Sequence, residues 1–509
     1  MDTNKILLPI LNKISRLNLI KSLEFIHYDI QFFFGNGHAT NGNVIGNDHV
    51  PPYIVDFLIS NIIKYSSVSG KNSLFDSDIR NSICKPLSEL QGQVNLPLIK
   101  EDVNAFLYRF FQNQAKMQKQ SDPRVAFYRY YSVYNTPQAN DYFENKNGVS
   151  LDSFFRWSIF CYVGFAYNNT FSYNLQSFYP PFLDEDGKKS LDFVLKHISL
   201  PYIELKRLYS TYHYSNNEDM FIFDPQAPHV KYPIFKFGNR LYCTNPIYIM
   251  HALLEGFYYI FDFPKSEASI KSLVANSFEN YIGMLLGHFL NGTTITYKKE
   301  LSYSYKKQQK KTSDWIIWND QEIAFIDCKL KHMSMKSKAS AYIDENIVND
   351  IIRGHEFSRK FIHDHIETLP TGFTKDILDL GIGVGKILVS YNDYSKDAIR
   401  ELPYMEGRKF HAILLTLEES FTGQYKNKII EIAKSYYYYK TNQSIDINPN
   451  TIRIISAKTI EEDLNYVRIT GRIDMIGNSP KTNMNLDPFL TKKFKKELVE
   501  PLIATFPKD

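Results

Sequence analysis

Apolar residues recur at two spacings along this 509-residue chain, and the change from one to the other divides it. Over residues 1 to about 220 the spacing is helical. Ile6 to Ile26, Lys100 to Gln118 and Leu151 to Tyr167 each place apolar side chains on one helix face. The Gly/Asn-rich run from Gly35 to Asn47 is a loop by composition. Tyr232 to Pro246 predicts a hairpin turning at Gly238-Asn239. A helix from about Ile247 to Phe261 follows, then another over Ser272 to Gly287 with Leu273, Phe278, Ile282, Leu285 and Leu286 in a stripe. Thr293 to Tyr305 is strand-like, and Lys306 to Lys311 is a basic loop. Two short apolar strands then flank the polar tip Asn319-Asp320-Gln321-Glu322, a second hairpin. Beyond it the pattern predicts a helix over about Ala341 to Ile366 and strands at Lys386 to Tyr391 and His411 to Leu417. The tail adds a helix from Gln424 to Tyr438 and a strand from Thr451 to Ser456. No internal repeat is evident.

This order predicts a mixed α/β protein with a core sheet flanked by helices, preceded by a mainly helical N-terminal domain. The expected division is 1–220 helical, 221–265 hairpin and connecting helix, 266–422 core, and 423–509 an extension packing on that core. The length suits two or three domains, and 44% hydrophobic residues suffice for packed cores. Net charge is only +4, so affinity for an anionic polymer must come from local clustering. Residues 297–338 supply it, with ten lysines against five acids. Cys84, Cys161, Cys243 and Cys328 are scattered without metal-binding or disulfide spacing, which fits a reducing cytoplasm. The N-terminus lacks a signal-peptide pattern. The longest apolar stretch, near Ser158 to Tyr167, falls short of the roughly 20 residues a bilayer requires. A soluble cytoplasmic protein with no membrane partner is expected.

The chemistry concentrates at the second hairpin. Asp314 opens its first strand, and Asp327 and Lys329 close the second, so antiparallel pairing brings both carboxylates and the ammonium to one end. Residues two apart on a strand share a face, which aligns Asp327 with Lys329. Two carboxylates gathered on an apolar hairpin are costly unless a cation or substrate sits there.

An acid, a spacer, then acid-x-Lys resembles the signature of the PD-(D/E)XK nuclease superfamily, here Asp314, the hairpin, and Asp327-Cys328-Lys329. Glu279, on the preceding helix, matches the glutamate that the family usually adds. The resemblance spans about 266–420, and the order helix, three strands, helix, strand agrees with it. Ser313 stands where the nominal proline would be. The resemblance implies a nuclease that uses Mg²⁺ or Mn²⁺ to hydrolyse phosphodiester bonds, with DNA favoured over RNA. It implies Asp314 and Asp327 as metal ligands, with the Cys328 carbonyl and Glu279 completing the site, and Lys329 stabilising transition-state charge. Such a metal generates hydroxide near neutral pH and offsets charge on phosphorus oxygens, and it is satisfied by one or two carboxylates plus water and substrate. Lys306, Lys307, Lys310, Lys311 and Lys331 are the candidate nucleic-acid contacts. The resemblance also suggests restriction or anti-phage defence, and the abundance of Asn, Lys, Ile and Tyr accords with an AT-rich bacterial genome. The helical half would recruit a protein partner or form a homo-oligomer.

Two other patterns compete. Asp376-Ile-Leu-Asp379-Leu-Gly381-Ile-Gly383-Val-Gly385 resembles the glycine-rich motif of methyltransferases that use S-adenosylmethionine, and Asn245-Pro-Ile-Tyr248 hints at their Asn-Pro-Pro-Tyr motif. A β pattern follows the glycines where a cofactor-binding helix is required, so they are expected to form a turn feeding a core strand. A catalytically silent nucleic-acid-binding or assembly protein with a nuclease fold is the remaining alternative. His363 and His365 are two apart and cannot share a helical face, so metal binding by these two with His355 is not expected. Tyr436 to Tyr439 is expected to be half-buried helix surface.

Overall fold

The computed structural model describes all residues except 1–2, 36–48, 52–53, 102, 104–121, 213–226, 264–267, 306, 331–342, 355–356, 358–371, 419–421, 481–487 and 506–509. The chain divides into two compact units. The first comprises Met1–Tyr131, Asn140–Phe263 and Thr491–Asp509 and is mainly helical, as its apolar spacing predicts. Helices Thr3–Ile14, Leu19–Gly35 and Val55–Tyr65 bury Ile10, Leu23, Leu58 and Ile62 in a core shared with Phe235 and Tyr242. The run expected over Ile6 to Ile26 is broken because Leu17 and Asn18 bridge to Asn72 and Ser67 in strand fashion. The hairpin Ile234–Phe237/Arg240–Cys243 turns at Gly238, whose φ of +57° suits glycine. Ser172–Asn174 and Ser199–Pro201 extend it to four strands. At the start of the following helix the Asn245 side-chain oxygen accepts the Ile247 N–H at 3.0 Å. The expected helix at Lys100 to Gln118 and the Gly/Asn-rich loop lie almost wholly outside the described residues. No described helix is long and apolar enough to cross a membrane.

The second unit comprises Ser132–Ala139 and Pro264–Leu490. Its sheet uses β1 (Thr296–Lys299), β4 (Trp315–Trp318), β5 (Glu322–Lys329), β6 (Lys409–Thr416) and β7 (Ile452–Ser456). The order is β7-β6-β5-β4-β1, and β2 (Ser302–Tyr305) and β3 (Gln308–Lys311) form a separate ribbon. Pairing is antiparallel for β1/β4 and β4/β5 but parallel for β5/β6 and β6/β7. Residues 322–328 of central β5 are all buried, which accounts for an apolar run that does not alternate with polar residues. Because β7 completes this sheet, Ile452–Ser456 belongs to the core although sequence spacing places it in an extension.

Helix α1 (Ala268–Leu290) packs on the sheet and on α5 (Ala457–Thr470), where the Tyr281 hydroxyl donates to Glu461 at 2.7 Å. Of the helix expected over Ala341 to Ile366, Glu345–Gly354 is helical (α2), whereas Ile343, Asp344 and Phe357 are not. His355, His363 and His365 lie outside the described residues.

Two expectations are overturned. The segment Lys386 to Tyr391 is not a strand, and the glycines before it are not a turn; both lie inside α3 (Gly372–Ser395). The glycines serve packing. A Cβ on Gly381 would lie 2.5 Å from Ile432 Cγ2, and one on Gly385 2.7 Å from Tyr436 Cδ1, both on α4 (Lys426–Thr441). Spaced four apart, they give α3 a smooth face against α4, and a helix interior offers no glycine-rich loop for a cofactor. The basic segment Lys306 to Lys311 is likewise not simply a loop, since Gln308–Lys311 is the second strand of the ribbon. In α4, Tyr436 and Tyr437 are buried while Tyr438 is exposed.

Candidate active site

The hairpin β4/β5 pairs Trp315 with Ile326, so Asp314 meets the end of β5 that carries Asp327, Cys328 and Lys329. Asp314 Oδ2 accepts the Cys328 backbone N–H at 2.6 Å. Asp327 is 7% exposed, and its Oδ2 lies 2.5 Å from Lys329 Nζ. The lysine is the counter-ion of that oxygen. Leu414 pairs with Asp327 and lies against Gly383 of α3, where a Cβ would be 3.0 Å from Leu414, a tight approach, and 3.7 Å from Lys329 Cε, an ordinary contact. Helix α3 therefore covers the face bearing Asp327 and Lys329, a role for the glycine run that its sequence spacing conceals.

Trp315 faces α1 instead. Its Nε1 donates to the Glu279 carbonyl at 3.0 Å, and its ring fills the space over Gly283, where a Cβ would lie 2.2 Å from Cζ2. One indole thus sets the height of α1 and of half-buried Glu279 above the sheet. Gly283→Ala is expected to move that helix turn and lower protein stability by about 1–3 kcal/mol, as overpacking does, against a helix-propensity gain of about 1 kcal/mol. A denaturant midpoint at or above wild type would show that the helix is not clamped by Trp315.

The charges perturb one another. Burial, then the Asp327 charge, pushes the Asp314 carboxyl up to about 7, against the Cys328 N–H that lowers it. Burial also raises Glu279, with Glu300 and Asp327 adding to it while Lys299 and Lys329 oppose it. Lys329 is penalised by burial, yet Asp327 and Asp314 outweigh this and hold its ammonium above the ordinary lysine value. It stays charged at neutral pH and is suited to electrostatic stabilisation rather than proton abstraction. Burial pushes the Cys328 thiol well up, so the side chain offers no thiolate.

Asp314 thus holds its proton more tightly folded than unfolded, where a carboxyl titrates near ~3.9. Its stabilising contribution is complete below that value and is lost as pH rises towards about 7. In chelator, stability should fall across that window, and Asp314→Asn should flatten the slope. Denaturant titrations at several pH values check this, and parallel slopes for the two proteins would refute it.

Among the described residues, no group of three or more His, Cys, Asp or Glu is arranged to hold a metal ion by itself. Buried Asp327 and half-buried Asp314, which repel one another, nevertheless fit a hard divalent cation, because Mg²⁺ takes few protein oxygens and keeps water and phosphate ligands. Among the candidate nucleic-acid contacts, Lys310 is committed inward, its Nζ 2.8 Å from Asp393, which is 1% exposed on its side chain. Lys311 is 67% exposed and pairs with Glu300 at 2.8 Å, while Lys307 is exposed at the ribbon turn. Lys306 and Lys331 lie outside the described residues. Sequence reasoning missed Asp393, which no local motif marks.

The chain matches no protein-family model, no curated protein and no solved structure.

Proposed function

We propose that the second unit is a metal-dependent nuclease of PD-(D/E)XK type that hydrolyses phosphodiester bonds, with DNA as the favoured substrate. The observation that supports this reading most is the meeting of Asp314, Asp327 and Lys329 at one end of a buried hairpin. A bound Mg²⁺ or Mn²⁺ would supply Lewis acidity and a hydroxide near neutral pH. Asp314 and Asp327 would hold it, with Glu279 and the Cys328 carbonyl completing the site as the family resemblance implies. Lys329, kept charged by its neighbours, would place positive charge where it grows on the phosphoryl oxygens. The buried, unpaired cysteines suit a reducing cytoplasm, and restriction or anti-phage defence is the role that fits such an enzyme. The helical unit would carry recruitment or self-association. The test is cleavage of duplex DNA, single-stranded DNA and RNA with and without Mg²⁺ or Mn²⁺. Metal-dependent products are expected, and no cleavage of any of the three, together with no measurable metal binding, would remove the reading.

A further inference from the structure

Between β1 and β4 the chain leaves the sheet to build the β2/β3 ribbon, which the hydrolytic chemistry does not require. Tyr303 pairs with Lys310 and Ser304 with Gln309, so alternation sorts the side chains onto two faces. On the inner face, the Tyr303 hydroxyl and Lys310 Nζ both donate to Asp393 Oδ2, at 2.7 and 2.8 Å. That shared, almost fully buried carboxylate anchors the ribbon to the end of α3. The outer face presents Ser302, Ser304, Gln309 and Lys311, all exposed, with Lys307 exposed at the turn. Residues 302–311 contain four lysines and no acid. The ribbon also departs from the active end of the sheet, because the Glu300 N–H donates to the Asp314 carbonyl at 2.8 Å and the Thr312 N–H to that of Leu301 at 3.0 Å.

We propose that the outer face of this ribbon docks duplex DNA by entering its major groove, a reading that rests on the nuclease assignment for what happens to the bound strand. Dimensions and charge both carry it. Four residues per strand span about 13 Å, and paired strands lie about 4.8 Å apart. The B-form major groove, about 12 Å wide, admits a two-stranded ribbon; the deep, narrow major groove of A-form RNA does not. Serine hydroxyls and the Gln309 amide, which donates to Ser304 at 2.8 Å in the free protein, can turn to base edges, whereas Lys307, and Lys311 on exchanging Glu300 for phosphate, fall at the flanks where phosphates run. The Asp393 anchor holds this face in a fixed relation to Asp314 before DNA arrives, which limits the ordering cost of binding.

The test uses the full chain carrying Asp327→Ala, so that binding of a short fluorescent DNA duplex is read without cutting. Adding Lys307→Asn and Lys311→Gln is expected to weaken binding about tenfold and to flatten the dependence of log affinity on log salt by about 2. Dimethyl sulfate should find guanine N7, a major-groove atom, protected in the parent complex. Ser304→Ala with Gln309→Ala should lower discrimination among duplex sequences while keeping the salt slope. Unchanged affinity and slope in the lysine variant, protection confined to the minor groove, or equal binding of duplex RNA would each overturn the docking. The two readings fail separately. Ribbon-dependent duplex binding by a wild-type chain that never cuts supports docking and removes the nuclease; cutting that survives every ribbon substitution, with affinity unchanged, does the reverse.

Discussion

Asp327→Ala is expected to abolish both divalent-metal binding and cleavage, lowering the rate by about 10³-fold or more, equivalent to ~4 kcal/mol of lost transition-state stabilisation. Lys329→Met is expected to behave differently. Its ammonium lies 2.5 Å from the Asp327 oxygen that a metal would take, so removing it relieves competition for that oxygen. Metal affinity should hold or rise, while cleavage falls about 10²–10³-fold through loss of positive charge at the phosphoryl group. Titration calorimetry with Mn²⁺, paired with single-turnover cleavage, separates the two effects. A Lys329→Met protein that cuts at the wild-type rate would reduce the lysine to a structural counter-ion. An Asp327→Ala protein that still binds metal with wild-type affinity would place the metal elsewhere.

The second large effect belongs to the packing of α3 on α4. Gly381→Leu and Gly385→Leu should each destabilise the protein by about 2 kcal/mol or more. The added atoms meet Ile432 and Tyr436 at distances no real Cβ adopts, and overpacking of this kind costs about 1–3 kcal/mol or more. The helix-propensity gain of about 1 kcal/mol does not cancel it. At an exposed helical position the same exchange would stabilise, so the sign tests the interface itself. Lower denaturant midpoints with an unchanged m-value are expected; midpoints at or above wild type would show that α3 and α4 are not tightly apposed. Because Gly383 on the same helix lies beside Lys329 Cε, a shift of α3 in these variants should also disturb the lysine.

Those glycines show where local sequence ceases to inform. Gly381, Gly383 and Gly385, followed by Ile387, Leu388 and Val389, have the composition of a turn and a strand. Glycine costs a helix about 1 kcal/mol and β-branched residues favour strands. Burial on two sides reverses that preference, because only a helix with small residues fits between Leu414 on the sheet and Ile432 and Tyr436 on α4. The partners lie 31 to 51 residues away, beyond any window of local pattern. The edge strand Ile452–Ser456 was legible as a strand but not as a member of the sheet, since membership depends on parallel pairing with β6. Lys310 looked like its basic neighbours until Asp393, on another element, drew it inward.

Some features were determined by sequence alone, because they are local. Two short apolar runs around a polar tip specify the hairpin Trp315–Trp318/Glu322–Lys329, and antiparallel register then brings Asp314 beside Cys328. Helical spacing likewise specifies α1, and with it the placing of Glu279 on a helix preceding the strands. Tertiary structure alone decided what acts on these groups: the burial and neighbouring charge that lift Asp314, the ion pair that keeps Lys329 protonated, and the indole that sets Glu279. Pairing and periodicity are properties of neighbouring residues, whereas desolvation and Coulomb energy depend on whatever the whole fold brings within a few ångströms.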